Sequence, residues 1–499
     1  MKKINQVKTG MILSYLLIIC NALYGFVITP YIVGRLGEAE YGVYKSIGAL
    51  ASSLLVLDIG LGSTVMRYLA KYKADKEEDK IPGFLGMGVI QAFCICALIA
   101  AVSIGIFFTI KPTYSATFTN EQIKKAQMLF AVYGVNVQLH VWSGFFSGII
   151  KGHNYFAYAN GMQLLHLLLR AGAVFALLQF KADSLVLVLA DTCFSFAFIC
   201  LYIVYIYRKT SASIRLRGFD ISLFFESGRY MLLSFLISVA YQIGGNLDNV
   251  VIGVLSGPVL VTVYSMALLI YNMFQNLSMA VSNVLLPTVS NVIAQDDEVN
   301  SRIVRLIVRV GRWQFMILGA AIVGFGCLGK EFLSIWLGQG FEDVYLITLI
   351  LIVPSMFELC VNTCLAVLRA KNQMGFFAVT LFLTAVLNAV ITIITVAKWS
   401  YIGAAIGTAI SLIVGNLVVM NIYFSKKLKL PMLKIYVSIF HKIWLCLLIA
   451  GGVLFGTSRL LHGSVVTFII NVCVFGVVYM SALYIFGLNK AEKGSIFSR

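Results

Sequence analysis

Long apolar stretches separated by short polar breaks run from about residue 9 to residue 487, and inside them polar and apolar positions do not alternate. A helix needs about 20 mostly apolar residues to cross about 30 Å of hydrocarbon, whereas barrel strands alternate over about 10. The pattern therefore predicts an all-α polytopic membrane protein. Cut at its polar breaks, the chain offers about 14 transmembrane helices, at 9–33, 41–66, 82–110, 127–150, 155–180, 183–207, 229–254, 258–286, 310–329, 343–368, 374–397, 401–425, 436–457 and 463–487. The first stretch has the basic flank of a signal peptide, but its apolar run reaches Val33 with no small-residue cleavage site after it, so it is kept as a span.

Charge orients these spans. Lys and Arg gather on the cytoplasmic side of a membrane protein. With the N-terminus inside, that side receives Lys2, Lys3, Lys8, Arg67, Lys71, Lys73, Lys76, Lys80, Arg208, Lys209, Arg215, Arg217, the KKLKLPMLK segment at 426–434, and Lys490, Lys493 and Arg499. The tally is about 24 inside against about 8 outside, which predicts N-in and C-in. The composition is 60% apolar and only 12% charged, and the net charge of +17 describes a basic cytoplasmic face that meets anionic membrane lipids; no nucleic acid is needed to explain it. All ten cysteines fall inside apolar runs, where they read as small core hydrophobes rather than disulfides or metal ligands.

Three stretches recur in register at an offset near 220. LSYL at 13–16 returns as LSFL at 233–236, IVGRLGEAEYGVYKS at 32–46 as VIGVLSGPVLVTVYS at 251–265, and GIIKGHNYF at 148–156 as AVLRAKNQM at 366–374. An offset of six helices leaves both copies in the same orientation, a parallel repeat of the kind used by transporters that rock one half against the other. The expected organisation is an N-terminal lobe at 1–207, a cytoplasmic linker at 208–228, a C-terminal lobe at 229–425, a basic linker at 426–435, and two extra spans with a tail at 436–499.

LGEAEYGVYKS (36–46), LDIGLGSTVMRYLA (57–70), LDNVVIGVLSGP (247–258), GKEFLSIWLGQGF (329–341) and VLRAKNQMGFF (367–377) resemble the polysaccharide-export flippases of the Wzx type. These belong to the superfamily that also holds the MATE drug exporters and the lipid II flippases, and the resemblance covers most of residues 9–425. It implies a two-lobed, V-shaped transporter of the bacterial cytoplasmic membrane whose lobes meet through spans 1, 2, 7 and 8. The implied substrate is an undecaprenyl-pyrophosphate-linked oligosaccharide, with polysaccharide assembly proteins as further partners and no cofactor or metal.

An ionisable group inside a span costs at least a few kcal/mol, so each one is a functional candidate. On span 7, Ser234, Ser238, Tyr241, Gly245 and Asp248 fall within about 80° at 100° per residue; on span 8, Asn272, Asn276 and Asn283 fall within about 40°. Both stripes suit a hydrated lining for sugar hydroxyls, or hydrogen bonding between helices. Lys45 and Asp248, at similar depth in spans 2 and 7, form a candidate gate, with snorkelling of Lys45 as the alternative. Arg170, one turn from His166, is expected to pair with Asp191 of span 6 or to grip pyrophosphate. His140 and His166 read as core histidines or proton carriers. Asp248 and Glu358 are the ion-coupling candidates. Arg302, Arg305, Arg309 and Arg312 form a basic stripe ahead of Trp313, read either as an interfacial lead-in or as a diphosphate grip. Arg67 is either a phosphate contact or a positive-inside anchor. Treated as one helix, span 2 sets Asp58 and Arg67 on opposite faces about 13 Å apart, which leaves Asp58 a partner on another helix or a proton-binding role.

No connection carries paired carboxylates, metal-ligand spacing or a glycine-rich phosphate loop, so a membrane glycosyltransferase or polymerase is disfavoured and a transporter rather than an enzyme is expected. The rivals are a MATE-like cation-coupled drug exporter and a lipid II flippase. The sugar, the coupling ion and the oligomeric state leave no mark in these residues.

Overall fold

The computed structural model describes residues 3–58, 60–210, 221–294, 299–370, 373–461, 463–489 and 492–493. Among them every regular element is helical, as lipid demands of a backbone that must satisfy its own hydrogen bonds. The elements are α1 (Lys3–Leu36), α2 (Glu38–Ser52), α3 (Leu61–Ala74), α4 (Ile81–Tyr114), α5 (Asn120–Gly152), α6 (Phe156–Phe180), α7 (Ser184–Lys209), α8 (Ile221–Ser256), α9 (Pro258–Ala294), α10 (Val299–Leu337), α11 (Asp343–Cys360), α12 (Thr363–Ala370), α13 (Met374–Ser411), α14 (Met420–Lys427), α15 (Met432–Phe440), α16 (Ile443–Leu460) and α17 (Val465–Ala482). Eleven helical stretches among the described residues are long and apolar enough to cross a membrane. The chain is a multi-pass membrane protein.

Each expected span lies on helix, but five are not the single rods that hydropathy suggests; the fourteenth ends in a π-helical turn at Leu483–Gly487. The second breaks after a 3₁₀ turn at Ser53–Leu57: Asp58 leaves helical geometry, and Gly60 takes φ 71°, ψ 35° before α3 begins. The tenth is interrupted between α11 and α12, where the Val361 and Asn362 amides switch to the carbonyls three residues back, at 3.1 Å each. The twelfth contains a π-helical turn at Leu412–Val419, with Gly415 packed directly on Thr384. The thirteenth, expected at 436–457, begins instead at Ile443. Residues 436–440 belong to the separate helix α15, because His441 is extended and Lys442 adopts a left-handed φ of 64°. Within α13, Ser400 reverses the chain, so two expected spans share this element. Asn388 Oδ1 accepts from Thr392 and Thr408 at 3.0 and 3.3 Å across that hairpin.

The chain forms two compact units, one of residues Met1–Thr262 with Val396–Tyr401, the other of Val263–Thr395 with Ile402–Arg499. Helix α8, at which the expected second lobe opens, falls by its contacts within the first of these units. There α8 packs on α2, the 3₁₀ turn, α3 and α4. The reason is close backbone approach: Gly42 of α2 lies against Pro258, and a β-carbon on Gly253 would strike the Ser46 hydroxyl. In the second unit, α15 is amphipathic. It buries Met432, Ile435 and Ile439, the last against Gly311 of α10, and leaves Leu433 and Val437 exposed.

Candidate functional site

Site chemistry in the first unit starts at the break in span 2. Gly144 and Gly148 form a small-xxx-small pair, GFFSG, which lets helix backbones touch. On α5 they meet Gly62 of α3 so closely that a β-carbon on Gly148 would land on the Gly62 carbonyl oxygen. His140, Gly144 and Gly148 follow at intervals of four, so all three share one face of α5. This seam carries Asp58 to His140, with Oδ2 3.8 Å from Nδ1. The Asp58 side chain is 16% exposed and His140 62%. Because α3 is a new helix, the geometry of a continuous helix from Asp58 to Arg67 does not hold; Arg67 lies exposed on α3.

A second polar group is built by α1, α5, α6 and α7. Arg170 Nε lies 3.2 Å from Asp191 Oδ1. Asn136 donates through Nδ2 to Asp191 Oδ2 and to Thr192 Oγ1, both at 3.3 Å. The guanidinium stands over the Tyr24 ring at 5.7 Å, a cation–π contact. The sequence reading pairs Arg170 with Asp191 by depth, and the structure brings them together. His166, one turn away, points its ring edge-on to Phe194 and Phe198 and has Nε2 buried without a hydrogen-bond partner among the described residues.

Lys45 Nζ lies over the Tyr41 ring at 5.5 Å. The approaches of Gly42 to Pro258 and Ser46 to Gly253 set an antiparallel register in which paired residue numbers sum to about 300. That register puts Asp248 level with about residue 52, roughly 10 Å along the axis from Lys45 at 1.5 Å per residue, so the two are not at equal depth. Asp248 is 1% exposed. Of its stripe, Ser238 is half-buried while Tyr241 and Gly245 are exposed; the side chain of Ser234 lies outside the described residues. Between these helices Ser46 and Tyr114 share a hydrogen bond of 3.1 Å, and Thr117 donates to the Gly253 carbonyl at 2.8 Å.

The end of this unit expected to face outward carries an ion cluster that hydropathy does not reveal. Lys125 lies 2.7 Å from Asp183 Oδ1 and 3.0 Å from Glu40 Oε1, and Glu40 also accepts from the Ser184 amide at 2.7 Å. Asp183 caps α7 through the Leu185 amide at 2.9 Å. Burial pulls the Lys125 ammonium down, but its hydrogen bonds to Asp183 and Glu40 outweigh that and hold it above the ordinary lysine value. Burial pushes the Asp183 carboxyl up, and the same lysine with the Leu185 amide brings it below the usual range. A depressed carboxyl stabilises above its unfolded value of about 3.9, and that share is lost as pH falls through the folded value. A raised lysine stabilises below about 10.4, and its share is lost as pH rises through the folded value. The cluster's contribution, roughly 0.5–1 kcal/mol for part-exposed pairs, is thus expected to be constant from about pH 5 to about pH 9. Melting curves of wild type and Lys125→Met in detergent should differ by the same interval across that window and converge below about pH 4, and again as pH rises past the folded value of the lysine.

In the second unit, Asn272 and Asn276 lie exposed on α9, while the side chain of Asn283 lies outside the described residues. Glu358 is half-buried near the end of α11, bonded to Asn416 of the π-helical turn. Tyr436 accepts from Asn421 at 3.0 Å and donates to the Phe357 carbonyl at 3.2 Å beside it. The arginine stripe divides. Arg302, Arg305 and Arg309 are exposed, but Arg312 is only 3% exposed, which removes it from any surface grip. Its Nε and Nη2 donate to the two oxygens of Glu492 at 2.6 and 3.1 Å, and it also donates to the carbonyls of Gly487, Ser438 and His441. Among the described residues no group of three or more His, Cys, Asp or Glu is placed to hold a metal ion.

Sequence reasoning missed Asn136, Tyr24, Lys125, Asp183, Glu40 and Glu492. Only Asn136 carried a usable signal, an amide in the middle of an apolar helix. Tyr24 lies inside an apolar span, where a tyrosine is ordinary, and the others sit at or beyond span ends, where charged residues are ordinary.

The family model described as "Polysaccharide biosynthesis protein" matches residues 7–293. No curated protein sequence matches the chain. A solved lipid II flippase in an inward closed conformation has a TM-score of 0.71 at 17% identity, over 95% of this chain and 98% of its own. An inward-facing multidrug resistance MATE transporter of the MOP superfamily has a TM-score of 0.62 at 15% identity, over 84% of this chain and 98% of its own. A MATE structure in the bent conformation has a TM-score of 0.54 at 17% identity, over 85% of this chain and 97% of its own. With more than half of its 499 residues inside the family match, the chain belongs to the polysaccharide biosynthesis protein family and has the fold of the MOP-superfamily transporters.

Proposed function

We propose that this protein is a flippase that moves an undecaprenyl-pyrophosphate-linked oligosaccharide from the inner to the outer leaflet of the bacterial cytoplasmic membrane by alternating access, coupled to a proton or sodium gradient. The observation that carries this reading is membership in the polysaccharide biosynthesis family over residues 7–293. The fold shared with a lipid II flippase over 95% of the chain supports a lipid-linked substrate. In this reading the chain lies N-in and C-in with two six-helix lobes and two further spans. Arg67 and the Arg170–His166 pair serve the pyrophosphate, with Lys45. Asn272, Asn276 and Asn283 serve sugar hydroxyls. Asp248 and Glu358 handle the coupling ion, and Asp58 also belongs to the transport path.

The second reading, a cation-coupled drug exporter, draws on the MATE folds. Deletion of the gene separates the two. The expected result is loss of surface polysaccharide with lipid-linked repeat units accumulating on the cytoplasmic side, and unchanged sensitivity to cationic dyes. Intact polysaccharide with raised dye sensitivity would favour the exporter and sink the flippase.

A further inference from the structure

The break in span 2 is more than a helix irregularity. A helix interrupted inside the membrane frees carbonyl groups on one side and amides on the other. Among discontinuous membrane helices such ends hold ions and protons. Here the Gly60 and Leu61 amides face the Asp58 carboxylate. Oδ1 of that carboxylate is nevertheless buried with no hydrogen-bond partner among the described residues, and a buried acceptor left unmade costs free energy. On its other side stands the His140 imidazole at 3.8 Å, 62% exposed and midway along an expected span. An ionisable ring at that depth faces protein or water rather than lipid.

We propose that Asp58 and His140 form a proton-binding pair at a hinge in the second span, taking up one proton between them and passing from a single negative charge to neutral. The proton enters at the open imidazole edge. Nδ1–H then donates to Asp58 Oδ2, closing the gap to a charge-assisted hydrogen bond, roughly twice as strong as a neutral one. The proton belongs to the pair rather than to either residue. Bound, it ties the start of α3 to α5. Released, it leaves the start of α3 without that tie, with α3 packed on α5 through the Gly62 seam and the Leu69–Gly152 contact and free to turn about Gly60, whose left-handed φ of 71° makes it the pivot.

The groups facing the pair from its neighbours are few. α4 brings the Cys96 thiol, which donates to the Gln138 carbonyl at 3.9 Å. On α8 the antiparallel register brings Tyr241 level with Asp58. Arg67, farther along α3, and Asp248, farther along α8, are the next charges in sequence on those helices.

This deepens the transport reading and rests on it only for what the hinge would gate. The test is therefore made without substrate. Amide hydrogen exchange of peptides covering residues 57–64 in the full-length protein in nanodiscs, corrected for intrinsic rates, should be roughly fivefold or more slower at pH 5.5 than at pH 8. His140→Gln, at an open position, should make the two rates equal, and Asp58→Asn should do the same. Equal rates in the wild type, or a pH dependence that survives His140→Gln, would overturn the proposal. Should Asp58→Asn fail to fold, the His140→Gln comparison decides alone. A null result in the gene deletion would strike the flippase reading and leave this measurement untouched.

Discussion

Glu492→Ala is expected to destabilise the protein by about 3–5 kcal/mol, because it leaves a guanidinium buried without its counter-charge. Arg312 and Glu492 side chains are 4% and 6% exposed, and their two-point contact is backed by three backbone carbonyls on the arginine and the Asn489 amide on the carboxylate. The pair clamps the segment after the last span onto α10. Thermal aggregation of the solubilised protein should begin at least several degrees lower, and its abundance in membranes should fall several-fold. Arg312→Met should behave alike. The double variant Arg312→Met with Glu492→Leu is expected to recover part of the loss, because neither charge is then left alone in the interior. Additive losses in the double variant would mean that the pair does not act as a unit.

Gly148→Ala is expected to cost at least as much as the worst overpacking substitutions in ordinary cores, about 3 kcal/mol. The added methyl meets the Gly62 carbonyl and its Cα, all backbone, so no flexible side chain can step aside. Opening the α3–α5 seam would also separate Asp58 from His140, so under the proposed flippase function polysaccharide export should be lost even where folded protein survives. Gly172→Ala on α6 is the control: nothing lies within 4 Å of its β-carbon position, and stability should hold or rise slightly. Normal export and melting behaviour in Gly148→Ala would show that the seam is looser than its geometry.

Much of the architecture is legible in the sequence. The apolar runs located helices because a lipid environment leaves the backbone few alternatives. Gly62 marks a place where a neighbour can approach, but which neighbour does so depended on two glycines more than 80 positions away. Arg170 and Asp191 were matched by depth alone, and they meet. Depth reasoning served Lys45 and Asp248 less well, because register between α2 and α8 is decided by where Gly42 and Gly253 allow contact. Arg312 shows the same limit. Its stripe with Arg302, Arg305 and Arg309 is real on the helix, yet a glutamate 180 residues later turns one member into a core group.

The sequence by itself determined that this is a helical, multi-pass membrane protein and to which family its motifs point. Those properties follow from runs and spacings that each segment carries within itself. Only the tertiary structure decided that span 2 is broken at Asp58, that His140 stands beside that break, and that Lys125, Glu40 and Asp183 form one cluster. Each depends on which helix faces which, and a charge at a span end looks the same in sequence whether it meets water or a partner from a distant helix.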